Sequence, residues 1–221
     1  MNALISNLDS VLASFWATIR LTVVSAIFAL ILGTILATMR VAPTPVFRLA
    51  GTVYVNTLRN TPLTLVLLFC SLGISNVLKL NFSDDPSVNG YWFAVLGLSA
   101  YTSAFVCESL RAGIGTVSLG QAEAARAIGL TFVQSLRLII LPQAFRSVIG
   151  PLGSVLIALT KNTTVVIVAG YAEAAYLMSE MIYEGSGTVP IFLGFALGFI
   201  VLTLPTGFFF SWLSKRMAVV R

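Results

Sequence analysis

The sequence predicts an all-α fold, a polytopic membrane protein of five transmembrane helices, on three observations. Its 221 residues are 57% hydrophobic and only 10% charged, where a soluble domain is about a quarter charged. Mean hydropathy is +0.96, more apolar surface than one soluble core can hide, so the solvent has to be lipid. The apolar residues also fall into long runs separated by short segments that hold most of the charge, and a membrane span needs roughly twenty such residues.

Residues 4–19 are apolar, with Trp16 near their end. Tryptophan favours the headgroup level, so this stretch reads as an interfacial helix leading into the first span. No basic stretch precedes it and Asp9 lies within it, which is not the pattern of a cleavable signal peptide. The first span, 21–39, carries no charge. The second, 60–78, is opened by Arg59-Asn60-Thr61-Pro62. Pro62 cannot continue a helical hydrogen-bond ladder, so a helix starts or breaks there. The third span, 88–108, ends on Glu108, with Arg111 three residues further along on the same helical face. The fourth, 147–170, holds one charge, Lys161. The fifth, 190–212, holds none and contains Gly194 and Gly198. That Gly-x3-Gly lets helices approach closely, either within the chain or against a partner. The connections near 79–90 and 173–187 are short, whereas 114–142 is a long polar, Ala-rich segment carrying Glu123, Arg126 and Arg137.

Five spans put the termini on opposite sides, and the basic residues choose between the two orientations. With the N-terminus outside and the C-terminus cytoplasmic, the inner segments carry Arg40, Arg48, Arg111, Arg126, Arg137, Arg146, Lys215, Arg216 and Arg221, and the outer ones only Arg20 and Lys79. The positive-inside rule selects this orientation. It places 114–142 in the cytoplasm.

Several functions are excluded. The chain has no histidine, so neither His-based catalysis nor a His-ligated metal is available. Cys70 and Cys107 both fall inside apolar runs and read as buried thiols, with no disulfide or metal framework. The net charge of +5 is scattered over the ends of apolar runs, which is no nucleic-acid footprint. No segment matches Gly-x4-Gly-Lys-Ser/Thr, so the chain has no phosphate-cradling loop of its own. The chain is expected to be no enzyme and to hold no cofactor, an intramembrane enzyme being disfavoured by the absence of histidine and of paired membrane carboxylates.

Three charges need an account. Arg59 and Glu108 lie near the inner ends of their spans. Either Arg59 snorkels to the interface and Glu108 pairs with Arg111 or caps a loop, or the two face a pathway and form an inner gate. Lys161 is deeper, fourteen residues past Ser147, roughly 20 Å at 1.5 Å per residue. A cation there costs a few kcal/mol unless paired or wetted. It complements a substrate carboxylate, with Asn162, Thr163 and Thr164 adding hydrogen bonds, or it pairs with an acid of a partner or with backbone carbonyls.

The segment 114–142 is the most specific. Glu123-Ala124-Ala125 is followed after three residues by Gly129, after nine more by Ile139, and then by Leu141-Pro142, with Gly120-Gln121 ahead of it. Short helices broken at a glycine and stopped at a proline make a rigid knob. This spacing resembles the coupling loop of permease subunits in binding-protein-dependent ABC importers. Tyr54-Val55 with Arg59-Asn60-Thr61-Pro62, the run Tyr101–Gly113, and Lys161-Asn162-Thr163-Thr164 resemble the corresponding segments of the polar amino acid subgroup, the histidine/glutamine/glutamate permeases. The likeness covers about residues 20–210 and is nearest to glutamate-type permeases. It implies a type I importer permease fold. It also implies a second permease chain, a paralogue rather than a second copy, together with a cytoplasmic ATPase dimer that binds ATP and Mg²⁺ and an external solute-binding protein. Gly120, Gln121, Glu123, Ala124, Ala125, Gly129, Leu141 and Pro142 are the residues expected to couple to the ATPase. Arg59, Glu108, Lys161, Asn162, Thr163 and Thr164 are expected along the substrate pathway. A stand-alone secondary transporter or channel is the alternative, disfavoured by the docking loop and by five spans without an internal repeat.

Overall fold

A computed structural model describes residues 2–42, 44–185 and 187–217, with the backbone alone at 2–3, 119, 122, 132–133 and 136. Among the described residues all regular structure is helical, with no strand. Four helices are long and apolar enough to cross a bilayer: Leu8–Val41, Pro86–Gly115, Arg137–Ala169 and Thr188–Met217. A fifth span exists if Pro45–Arg59 and Leu63–Val77, bent by 109° across Asn60–Pro62, count as one.

The chain begins with a short helix α1 (Asn2–Ser6) and then α2 (Leu8–Val41). α2 is unbroken, so residues 4–19 do not form a separate helix on the lipid surface. No Gly or Pro falls between Leu8 and Leu32, and a helix with no breaker propagates. Leu4, Val11 and Phe15 pack on Ile191, Phe195 and Phe199 of the last helix. Gly194 and Gly198 are the seats for this contact: a Cβ on Gly198 would lie 2.2 Å from Phe15 Cζ, and one on Gly194 2.4 Å from Leu4 Cδ1. The Gly-x3-Gly therefore serves packing within the chain.

The connection after α2 is itself helical. α3 (Pro45–Arg59) starts on a proline at its first position, where no hydrogen bond is lost. It ends at the Asn60-Thr61-Pro62 break. α4 (Leu63–Leu68) continues as a π-helix over Phe69–Val77. α5 (Pro86–Gly115) opens with Asp85 accepting the Ser87 N–H at 2.8 Å and runs past Glu108 to the start of the polar segment. α2 and α5 run parallel and form the centre. A Cβ on Gly33 would come within 2.5 Å of Val106 Cγ1, and Ser99 donates to the Ser25 carbonyl at 3.3 Å. Leu21, Leu63, Leu67, Leu98, Leu159 and Val166 form the main core.

α6 (Leu119–Ala127) and α7 (Phe132–Ser135) form the polar segment, followed by a π turn over Leu136–Ile140. α8 (Leu141–Asn162) tightens into a 3₁₀ stretch, Thr163–Ala169, which ends on left-handed Gly170. α9 (Ala174–Tyr183) occupies what reads in the sequence as a short connection, and α10 (Thr188–Met217) closes the chain. α10 buries only Ile191 and Phe195. Phe192, Leu197, Val201, Leu204 and Phe208 are exposed, an apolar face that suits lipid.

One carboxylate fastens α9 to α2. Glu173 is fully buried. It accepts the Thr18 hydroxyl at 3.0 Å and the Ala175 and Tyr176 N–H groups at 2.8 and 3.3 Å, while Ala174 N–H donates back to Thr18 Oγ1 at 3.2 Å. Burial raises the Glu173 carboxyl above its ordinary value, against the downward pull of these donors. At the same end Arg20 donates to Tyr171 Oη at 3.3 Å and stacks 5.3 Å from the Tyr91 ring centre.

Candidate functional site

The polar segment folds into a compact knob. Gly129 has φ of +83°, the left-handed conformation that glycine adopts without steric cost. Its N–H donates to Arg126 O at 3.0 Å and the Leu130 N–H to Ala125 O at 3.0 Å, which is a Schellman closure of α6. α7 starts on a reciprocal cap: Thr131 N–H donates to Gln134 Oε1 at 2.9 Å, and Gln134 N–H to Thr131 Oγ1 at 3.3 Å. Gln121 contacts Gln143, and Gln143 donates to Ile139 O at 2.9 Å, tying the knob to the foot of α8. Pro142 sits in the first turn of α8, beside exposed Leu141.

The outer face of the knob carries Gly120, Glu123, Ala124, Gly129 and Ile128, which is 76% exposed. Ala125 is 1% exposed and faces the inside of the knob. It supports the knob from within and does not stand on its contact surface, because a side chain with no free surface cannot touch a partner. Ile128 was not legible as a surface residue from spacing alone; the turn at Gly129 is what leaves it outward.

Between α5 and α8 lies a partly polar groove of about 390 Å³, lined by Tyr101, Thr102, Phe105, Ser154, Ala158 and Asn162 among others. The Thr102 hydroxyl is buried there without a hydrogen-bond partner among the described residues, a buried polar group that normally finds one.

At the knob end of this groove Arg59 and Glu108 come together. Arg59 Nη1 is 3.4 Å from Glu108 Oε1, and Arg111 Nη2 is 3.6 Å from Oε2. Arg40, 68 residues away in sequence, makes the most intimate contact with Oε1. No local pattern links positions 40 and 108, so Arg40 reads in the sequence only as an orienting charge. The Arg59 guanidinium also stacks on Phe105, 5.9 Å from its ring centre.

Lys161 to Thr164 do not act as one cluster. Lys161 is exposed, with no ion pair among the described residues. Asn162 lines the groove. Thr163 is fully buried and its hydroxyl returns to Thr160 O at 2.8 Å, whereas Thr164 donates to Lys161 O at 2.8 Å. The Thr163 hydroxyl is thus spent on the last turn of α8, within the core.

Residues 6–219 match the family described as binding-protein-dependent transport system inner membrane component. The chain belongs to that family. This permease is 52% identical over 216 residues, 95% of both chains, to the glutamate transport system permease protein GluC of Corynebacterium glutamicum. It is 33% identical over 224 residues to the glutamate/aspartate import permease protein GltK of Escherichia coli, covering 98% of this chain and 97% of that one. A crystal structure of an amino acid ABC transporter with histidines matches the permease at TM-score 0.88 and 25% identity, over 97% of each chain. The inward-facing MetNI methionine ABC transporter matches at TM-score 0.75 and 18% identity, over 95% of this chain and 96% of that one. The permease therefore has an all-helical ABC importer fold and is a multi-pass membrane protein.

Proposed function

We propose that this permease is the transmembrane subunit of an ATP-driven importer of glutamate. The observation that carries the reading is the 52% identity, spread over 95% of both chains, to a glutamate permease, together with a knob at one end of the bundle built as a rigid, outward-facing unit. In this reading the N-terminus is outside and the knob cytoplasmic, supported by the excess of basic residues at that end. A cytoplasmic ATPase dimer binds ATP and Mg²⁺ and docks on Glu123, Ala124 and Gly129. Gly120 and Gln121 lead α6 into that surface, and Leu141 and Pro142 form its root. An extracytoplasmic binding protein delivers the solute, and a second permease, a paralogue, completes the pathway.

The groove between α5 and α8 forms one wall of that pathway, with Asn162 along it and Arg59 and Glu108 at its inner end. Lys161 is exposed at the second-last residue of α8, just before the 3₁₀ extension, and a cation facing hydrocarbon within a span costs a few kcal/mol. That surface is therefore wetted by the pathway, and Lys161 meets the substrate carboxylate. The test is uptake by the reconstituted importer, normalised to assembled complex. Lys161→Met is expected to cut glutamate uptake while substrate-free ATP hydrolysis persists. Unchanged uptake per complex, with less complex assembled, would show that Lys161 serves assembly instead.

A further inference from the structure

Glu108 is one carboxylate facing three guanidinium groups, and they hold it unequally. The Arg40 side chain is only 10% exposed. Its stem is pinned under α3, where a Cβ on Gly51 would lie 2.9 Å from Arg40 Cγ. Arg59 is 43% exposed, reaches Glu108 at 3.4 Å and leans on Phe105, a wall of the groove. It is also the last residue of α3, next to the 109° break. Arg111, on α5 itself, moves with Glu108 and is indifferent to motion between helices.

We propose that Glu108 is a clamp with a fixed partner, Arg40, and an exchangeable one, Arg59, and that a substrate carboxylate passing along the groove takes Arg59 from Glu108, freeing the α3–α4 break to move and opening the inner end of the pathway. The inference rests on the importer reading and adds to it the division of roles and the residue Arg40. Three guanidinium groups around one carboxylate leave an excess of positive charge that attracts a second carboxylate. Leaving a half-buried carboxylate with no close partner is strongly unfavourable, and Arg111, 52% exposed and 3.6 Å away, holds it only weakly. Arg40 removes that obstacle. It keeps Glu108 paired whichever partner Arg59 has, so exchange costs little. Arg40 is in this sense a positioning residue, acting on the solute only through Glu108.

The test uses the complete importer in liposomes, with both permeases, the ATPase and the binding protein, measuring glutamate uptake and ATP hydrolysis in the same vesicles. Arg59→Gln is expected to raise ATP consumed per glutamate about fivefold, the shift that follows from removing a half-buried ion pair from one of two states. Glu108→Gln should act in the same direction, and the double variant should be no worse than either single one, because both break one latch. Arg40→Gln should do the opposite. With its fixed partner gone, Glu108 grips Arg59 harder, so uptake and hydrolysis slow together at an unchanged ratio. If Arg59→Gln does not assemble, Glu108→Gln reads the same ratio. A wild-type ratio in assembled Arg59→Gln and Glu108→Gln overturns the clamp, as does an Arg40→Gln variant that wastes ATP as Arg59→Gln does. A purely structural role lowers the amount of complex and leaves the ratio alone. Wild-type vesicles that show no ATP-driven uptake overturn the importer reading itself, a result distinct from failure of the clamp.

Discussion

Glu173 is the residue whose replacement the structure prices most directly. Its carboxylate accepts from Thr18 and from two N–H groups at the start of α9, in a fully buried position. Glu173→Ala leaves the Ala175 and Tyr176 N–H groups without an acceptor and opens a gap against α2. Each orphaned buried donor costs about 1 kcal/mol, in line with about 0.5–2 kcal/mol for a lost N-cap, and the gap adds about 1 kcal/mol. The sum is about 3 kcal/mol, or about 9 °C in melting temperature for a chain of this length. Glu173→Gln behaves differently. Its carbonyl oxygen still accepts the two N–H groups, its amide donates to Thr18 Oγ1, and the Thr18 hydroxyl turns to the Ser14 carbonyl, already 3.1 Å away. The cost should stay near 1 kcal/mol.

The pH dependence separates the two variants from wild type. A carboxyl raised above 4.5 by burial binds its proton more readily folded than unfolded. Its contribution is fully present below 4.5 and is lost as pH rises through the folded value. Stability attributable to Glu173 therefore falls from acid toward neutral pH, and both variants lose that slope. Thermal unfolding of the purified protein in mild detergent, at several pH values, measures all three. The reasoning fails if Glu173→Ala melts within 2 °C of wild type, or if Gln is as damaging as Ala; 2 °C corresponds to less than ~1 kcal/mol.

Two other outcomes test the proposed function. Gly129→Asp puts a side chain at φ of +83°, which aspartate tolerates at a cost of about 1 kcal/mol, while open space surrounds the site. Insertion should survive and ATP-driven uptake should be lost; normal transport would remove the knob from the coupling path. In a background without Cys70 and Cys107, a cysteine at exposed Ser87 should label only from outside and one at exposed Gln134 only from inside, and the reverse pattern would invert the orientation.

The membrane character, the long apolar helices and the knob were legible because each is written locally, in runs of apolar residues or in a fixed spacing. The chain contains Ala-Glu-Ala-Ala twice, at 122–125 and at 172–175. The first copy lies on an exposed knob and the second caps a buried helix start. Nothing within the four residues separates these fates. The spacing to Gly129 and Leu141-Pro142 identifies the first, whereas the second is decided by Thr18, 155 residues away. The pairing of Arg40 with Glu108 is hidden for the same reason. α3 was missed because its length falls short of a span and its charges sit at its ends, so it resembles a connection. Thr163 reads as available because it is polar, yet it is buried with its hydroxyl on the Thr160 carbonyl, at the switch to 3₁₀ winding.

That switch also gives α8 a reserve of length. Seven residues, Thr163–Ala169, are wound as 3₁₀, rising about 2.0 Å each instead of 1.5 Å. Rewinding them as α-helix would draw Gly170 and Tyr171 toward Asn162 by ~3.5 Å, with the backbone still hydrogen-bonded along its length. Tyr171 carries Arg20 with it, and Ser71 of the π-helical stretch is bonded to Val168 O at 3.3 Å. Two helices wound off the α pitch in opposite senses, one too tight and one too wide, are thus buttoned together at the end of the bundle away from the knob, so that a change of pitch in one is a displacement of the other.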